Sequence, residues 1–156
     1  MSEISLRDVM RGFPQGVVVV TAEGDEGPRG VTVSSFTSVS LTPPRILVCI
    51  MKESRAHSAI AKGPFVVNVL SEKQGAVSDH FASPKLNSEE QFAEYTSPKL
   101  DGCLGYLYCR VVGETEQGDH TVFFGEVERA EMGDEGKPLV FCAREYWTLG
   151  ETVHKR

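Results

Sequence analysis

No apolar run in this 156-residue chain approaches the roughly 18 residues that a membrane span needs, so no membrane partner is expected. Positive charge is also scarce. Sixteen Lys and Arg stand against 22 Asp and Glu, a net charge of -6, which excludes nucleic acid or another polyanion as a bulk partner. It leaves room for one local basic pocket. The four cysteines, Cys49, Cys103, Cys109 and Cys142, form no Cys-x-x-Cys pair. Without paired-ligand spacing no structural metal is expected, and they read as small buried hydrophobes in a reducing compartment. Met1 to Met10 carries no signal-peptide h-region, which points to the cytoplasm. Repeats and low-complexity segments are absent. The length predicts one domain over residues 1–156, able to bury a core without staples.

What is there is strand and turn chemistry. Ser5 to Arg11 reads as a short helix capped by Ser5 with Asp8 in a weak capping box. The Val17–Val20 run predicts a strand within Gln15–Ala22, and Glu23–Pro28 predicts the turn of a hairpin. Strands are predicted over Phe65–Leu70, Gly102–Thr115, His120–Ala130 and Leu139–Cys142. Gly118-Asp119-His120 reads as a tight turn. Ser71–Gln74 fits a capping box opening a helix to about Phe81, and Asn87–Glu90 opens another through Phe92. Glu145–Leu149 reads as a terminal segment. About seven strands and three short helices result, most strands joined by hairpin signals. The expected fold is mainly β: a small antiparallel barrel with short helices covering its ends.

The stretch from Gly30 to His57 organises the rest. Four serines and three threonines fall between Thr32 and Thr42, in a segment read as one hydroxyl-rich strand. Pro43-Pro44 marks a corner. Arg45–Met51 then reads as a buried apolar strand, and Ser54 as the N-cap of a helix over Arg55–Lys62 closed by Gly63. Lys52, Arg55 and His57 crowd the helix start, which predicts an anion pocket, most simply for a phosphate. A polar strand beside a phosphate pocket suits a flat heterocycle on a phosphorylated tail. Flavin mononucleotide and pyridoxal phosphate both satisfy that description, and the residues alone do not separate them.

The chain resembles the flavin reductase-like family, the FMN-binding split-barrel reductases that include small components of two-component flavin monooxygenases. The likeness rests on ordered pieces: Met10–Val17, Val20-Thr21-Ala22, Gly30–Phe36, Ser38–Pro44, Phe65–Leu70, Phe81-Ala82, Gly118-Asp119-His120, Gly125-Glu126-Val127 and Pro138–Tyr146. It departs at Arg144, where the family often has Gly, and at Val31, where it often has Met.

The resemblance implies a split β-barrel homodimer with FMN, or FAD, near the subunit interface. Thr32, Val33, Ser34 and Ser35 would line the isoalloxazine largely through backbone atoms. Cys49, Ile50, Met51 and Lys52 would run under it. Ser54, Arg55 and His57 would hold the phosphate, and Phe81 and Ala82 would close the site. It further implies NADH or NADPH as co-substrate, with His120 and Tyr146 as nicotinamide contacts and His120 as the catalytic candidate. By itself, a His after Gly-Asp is equally a turn residue, and Tyr146 equally a core or interface anchor. The activity implied is NAD(P)H-dependent flavin reduction supplying a partner monooxygenase; an FMN-binding carrier without fast turnover is the alternative.

Overall fold

The computed structural model describes residues 3–155. The expected domain limits at residues 1 and 156, and the first two residues read for a signal peptide, lie outside them. The chain opens with α1 (Leu6–Met10), whose N-cap Ser5 and Asp8 form the predicted capping box. None of its residues is buried. Then come β1 (Gln15–Gly16), β2 (Val18–Gly24), β3 (Gly27–Val33), β4 (Phe36–Leu41) and β5 (Pro44–Met51). The middle of the chain holds α2 (His57–Lys62), β6 (Phe65–Val69), α3 (Gly75–Ala82) and α4 (Ser88–Phe92). The end holds β7 (Gly105–Gln117), β8 (His120–Met132), β9 (Val140–Cys142) and β10 (Glu145–Trp147).

Seven strands form one antiparallel sheet in the order β3-β2-β6-β7-β8-β5-β4, and β1, β9 and β10 form a second. The mainly β, antiparallel class matches the expectation. The two outer strands of the large sheet, β3 and β4, are consecutive in sequence. No ladder joins them, so the barrel stays open along that seam. Ser34 and Ser35 carry the chain across it, and the Cys49 N–H donates to the Ser35 carbonyl at 3.1 Å.

Valines in β2 face both sides because both sides are covered. Val18 and Val20 enter a core with Ile46, Val48, Ile50, Phe65, Val67 and Phe123. Val17 and Val19 pack with Val66, Leu70, Phe81, Leu100 and Tyr106. A strand between two apolar layers reads as a continuous hydrophobic run rather than an alternation. Asn68, the polar residue of β6, is fully buried and satisfied. Its amide donates to the Val19 carbonyl and Thr21 Oγ1, both at 3.1 Å, and its Oδ1 accepts from Leu100 N at 2.9 Å. It ties the 97–101 loop to the sheet, as a buried polar group must find partners.

Several expectations are corrected. The hydroxyl-rich segment is not one strand: it breaks at Ser34-Ser35, and its halves lie on opposite edges of the sheet. Ser54 is not the N-cap of α2. The helix starts at His57 after Ala56, which makes no side-chain cap bond, and Ser54 Oγ accepts from Ala56 N instead. Ser71 is likewise not a cap; α3 follows Gln74, whose Oε1 accepts from Ser71 N at 2.9 Å. The 145–149 segment contains a strand, β10. The turn into β10 places Ala143 and Arg144 at φ of 52° and 66°. A two-residue turn between twisted strands requires that left-handed pair, which explains why glycine suits the Arg144 position.

Candidate functional site

A cavity of about 580 Å³ opens along the seam of the large sheet. One bank is β3 with the Ser34-Ser35 crossing. The other is the end of β5 with the 53–56 link. The end of α3 and the 83–86 loop border it, and His120 reaches it from the β7–β8 turn. That turn is two residues long, and Gly118 takes φ of 59° there, which only glycine adopts without strain.

The β3 bank is an edge strand held by a side chain. Gln91, buried on α4, receives the Gly30 N–H at 2.9 Å and donates to the Gly30 carbonyl at 2.8 Å. It thereby substitutes for a neighbouring strand. Gly30 is also where Phe81 packs closest: a Cβ there would lie 2.6 Å from the Phe81 ring. Backbone groups on one strand edge recur every second residue, so the Thr32 N–H and C=O point out in the same sense as those of Gly30. By that alternation the Thr32 pair faces away from β2, and among the described residues no group outside the strands bonds to it.

The hydroxyls of this bank are largely committed elsewhere. Thr32 Oγ1 donates to the Ser78 carbonyl at 2.6 Å, and Ser35 Oγ donates to the Cys49 carbonyl at 2.9 Å. Gln15 Nε2 donates to the Ser34 carbonyl at 3.3 Å. Thus Thr32, Val33, Ser34 and Ser35 all line the cavity, with the Thr32 main chain on the open edge of β3.

The opposite bank separates by strand alternation. Cys49 and Met51 face the cavity, while Ile50 between them is fully buried in the core. Burial pushes the Cys49 thiol up, so it behaves as an inert wall. Ser54 and Arg55 line the cavity, as do Phe81 and Ala82. Arg55 donates from Nη1 to the Leu86 carbonyl at 3.1 Å.

Lys52 and His57 do not reach the cavity. The Lys52 ammonium pairs with Glu116 at 3.4 Å. The His57 ring packs at a 59° tilt against Phe123 with centroids 5.2 Å apart, and its Nε2 lies 2.8 Å from Thr121 Oγ1. Tyr146 is also placed outside. Its hydroxyl meets Ser78 Oγ at 2.7 Å and Asp79 Oδ1 at 2.8 Å, clamping β10 onto α3, and burial raises its phenol.

His120 Nδ1 lies 2.7 Å from Asp119 Oδ1. The hydrogen bond from His120 holds the Asp119 carboxyl below its ordinary value. An ionised carboxylate can only accept, so Nδ1 carries the proton and Nε2 is the free ring nitrogen.

Arg29, just beyond the predicted Glu23–Pro28 turn, is a cavity residue that sequence reasoning missed. Its side chain is 12% exposed; Nη2 pairs with Glu26 at 3.3 Å, while Nη1 is buried with no hydrogen-bond partner. A buried unpaired guanidinium nitrogen marks a place where an anion's oxygen would be stabilised. Gln91 was missed too, because nothing within its own predicted helix points to Gly30, 61 residues away. Among the described residues no group of three His, Cys, Asp or Glu could hold a metal, and no helix is long and apolar enough to cross a membrane.

Known proteins align with this geometry. The chain is 37% identical over 148 residues to the reductase component of 4-nitrophenol 4-monooxygenase/4-nitrocatechol 2-monooxygenase of Rhodococcus opacus, covering 90% of this chain and 78% of that protein. It is 35% identical over 146 residues to the 4-hydroxyphenylacetate 3-monooxygenase reductase component of Thermus thermophilus, covering 93% and 95%. The solved structure of the NADH:FAD oxidoreductase SgcE6 of Streptomyces globisporus, in complex with NAD and FAD fragments, superposes with a TM-score of 0.86. That match has 34% identity and covers 98% of this chain and all of the other. Residues 10–150 match the family model described as the flavin reductase like domain, and the chain belongs to that family.

Proposed function

We propose that residues 1–156 act as a single-domain, cytoplasmic NAD(P)H-dependent flavin reductase that supplies reduced flavin to a partner monooxygenase. One observation carries the reading. A single cavity offers the outward-facing main chain of Thr32, with the Arg29 guanidinium on that same bank and the Arg55 guanidinium on the opposite one. A flavin needs that combination: a ring edge that alternates donors and acceptors, and an anionic tail. The relatives described above, reductase components among them, support the same assignment.

When bound, the flavin accepts a hydride from the nicotinamide; the protein supplies position and electrostatics. Thr32 orients the ring edge through its backbone, with Val33, Ser34 and Ser35 forming that wall. Cys49 and Met51 pack beneath, with the main chain of Ile50 between them. Ser54, Arg55 and Arg29 hold the phosphate. Phe81 and Ala82 exclude water. His120, fixed through Nδ1 by Asp119, presents Nε2 to the nicotinamide. Lys52, His57 and Tyr146 act one step back, by bracing the β7–β8 hairpin, Thr121 and α3.

The homodimer belongs to the same proposal. Helix α1 buries none of its own residues, and Ile4, Leu6, Val9 and Phe13 are more than half exposed, as is Trp147. A capped helix tied to the Ala143 turn only through its Arg11 cap, with its apolar side chains left exposed among the described residues, is best explained by a second copy. Light scattering should give the dimer mass, and Leu6→Glu with Val9→Glu should give the monomer.

The decisive assay is NADH consumption by the purified protein, followed at the nicotinamide absorbance with and without FMN or FAD. Flavin-dependent consumption supports the reductase. Flavin binding without consumption overturns it in favour of a carrier.

A further inference from the structure

Behind the cavity wall, a polar pair is set against the apolar core. His57, the first residue of α2, and Thr121, the second residue of β8, meet at 2.8 Å between Nε2 and Oγ1. Thr121 is 3% exposed, and the half-buried His57 ring packs against the fully buried Phe123. Valine in place of Thr121 and leucine in place of His57 would fill that space with no polar atoms to satisfy. A hydrogen bond kept in apolar surroundings adds direction more than stability.

The neighbours of the pair give it a role. Thr121 follows His120, and His57 stands two residues after Arg55. By strand alternation His120 faces the cavity opposite Met51, and Thr121 faces inward opposite Ile50. We propose that His57 is a positioning residue: through Thr121 it holds the Ser54-Arg55 link in register with His120, so that the phosphate end and the nicotinamide end of the cavity are set relative to each other. The inference deepens the flavin-reductase reading and rests on it.

The two partners differ in what fixes them. β8 lies between β5 and β7, and Thr121 pairs with Ile50 on one side and Glu116 on the other. Thr121 is therefore a fixed point. The link is held by local bonds: Ser54 N–H to the Met51 carbonyl at 2.9 Å, His57 N–H to the Ser54 carbonyl at 3.0 Å and Ala56 N–H to Ser54 Oγ at 3.3 Å. The Arg55 bond to the Leu86 carbonyl ties it to another loop. The Lys52 N–H reaches the Asp119 carbonyl at 2.9 Å, which fixes the start of the link. Ala56, Ala59 and Ile60 bury α2 in the core, but apolar packing is non-directional and sets the depth of the helix rather than its place along the sheet. The helix has no side-chain N-cap. His57 supplies the directional contact at the far end of the link. Without it, Arg55 and His120 lose their common reference, and a misplacement of about 1 Å is enough to slow a transfer between two bound partners.

The test is steady-state NADH oxidation with FMN, beside FMN binding by fluorescence quenching without NADH. In His57→Leu and in Thr121→Val, kcat at saturating NADH and FMN should fall about tenfold. The FMN Kd should rise less than about threefold, because the Thr32 main chain and both guanidiniums remain. The double variant should lose no more than either single one, since the two side chains act as a unit. His57→Gln, whose amide reaches the place of Nε2, should recover most of kcat. A bond that served stability alone would lower the melting temperature and leave kcat untouched. Unchanged kcat in His57→Leu and Thr121→Val, additive losses in the double variant, or a His57→Gln as slow as His57→Leu would each overturn the inference and leave the reductase reading standing. Wild type that binds FMN without oxidising NADH would overturn that reading and the inference with it.

Discussion

The two banks of the cavity carry opposite kinds of sequence and reach it by opposite means. The Gly30–Ser35 bank is rich in hydroxyls, yet Thr32 and Ser35 spend theirs on the Ser78 and Cys49 carbonyls. What remains open is main chain. The Lys52–His57 bank is rich in charge, yet of the three cations predicted to converge only Arg55 faces the cavity. Lys52 braces a hairpin and His57 braces Thr121. The cation that joins Arg55 comes from the far side, Arg29 on β3. Residue type announces that a region is polar; direction decides what that polarity serves.

Substitutions can break this contrast. The largest effect should come from Gln91→Leu. It leaves the Gly30 N–H and C=O buried without partners, at about 1–3 kcal/mol for each unsatisfied group. A total loss of about 3 kcal/mol of folding stability is expected in urea unfolding, together with loss of flavin binding as the first bank frays. Next, Arg55→Ala should weaken flavin binding more than tenfold, from the loss of about 2 kcal/mol of charge-assisted hydrogen bonding. Lys52→Ala should change it less than about twofold, since exposed ion pairs contribute little. Titration by flavin fluorescence checks both, and equal losses would erase the difference between facing and bracing cations.

Smaller still, Thr32→Val should lower stability by about 1 kcal/mol through the lost bond to Ser78, with flavin affinity retained because the ligand contact is main chain. Thermal melts beside flavin titrations separate the two effects. Smallest is the pH effect of Asp119. Its folded pKa lies below the ordinary 3.8, so its contribution is present above that value and is lost as pH falls through the folded value. Asp119→Asn should therefore flatten the acid limb of stability below about pH 4. An acid limb identical to wild type would show that the pair with His120 adds nothing.

Much of the fold was legible from the chain. Asn87 and Glu90 form the predicted capping box of α4, and Ser5 and Asp8 that of α1. Val18–Val20 lie in β2 as expected, though Gln15–Gly16 of the same predicted strand form β1 in the second sheet; the predicted Glu23–Pro28 turn narrows to Asp25-Glu26, and the Gly118-Asp119 turn stands where it was expected. Each depends on residues within four positions of one another. Ser54 and Ser71 had the same local signature and did not cap. The backbone of Ser54 instead closes the turn that follows β5, and Ser71 pairs in an isolated bridge with Pro138, 67 residues further along the chain. The split of the Gly30–Leu41 segment was equally hidden, because period-2 patterning continues through Ser34-Ser35 while the chain changes edge.

By itself, then, the sequence determined the mainly β class, the hairpins, the negative charge balance and much of the stretch that lines the cavity. Those follow from propensity, capping and turn stereochemistry, which act between near neighbours. The tertiary structure alone decided which side chains meet. It set Gln91 against Gly30 from 61 residues away, left Arg29 with a buried unpaired nitrogen, and turned Lys52, His57 and Tyr146 to other partners. The reason is physical: an open sheet edge and a buried polar atom must be satisfied by whatever the fold brings near, and that neighbour is encoded nowhere in the local chain.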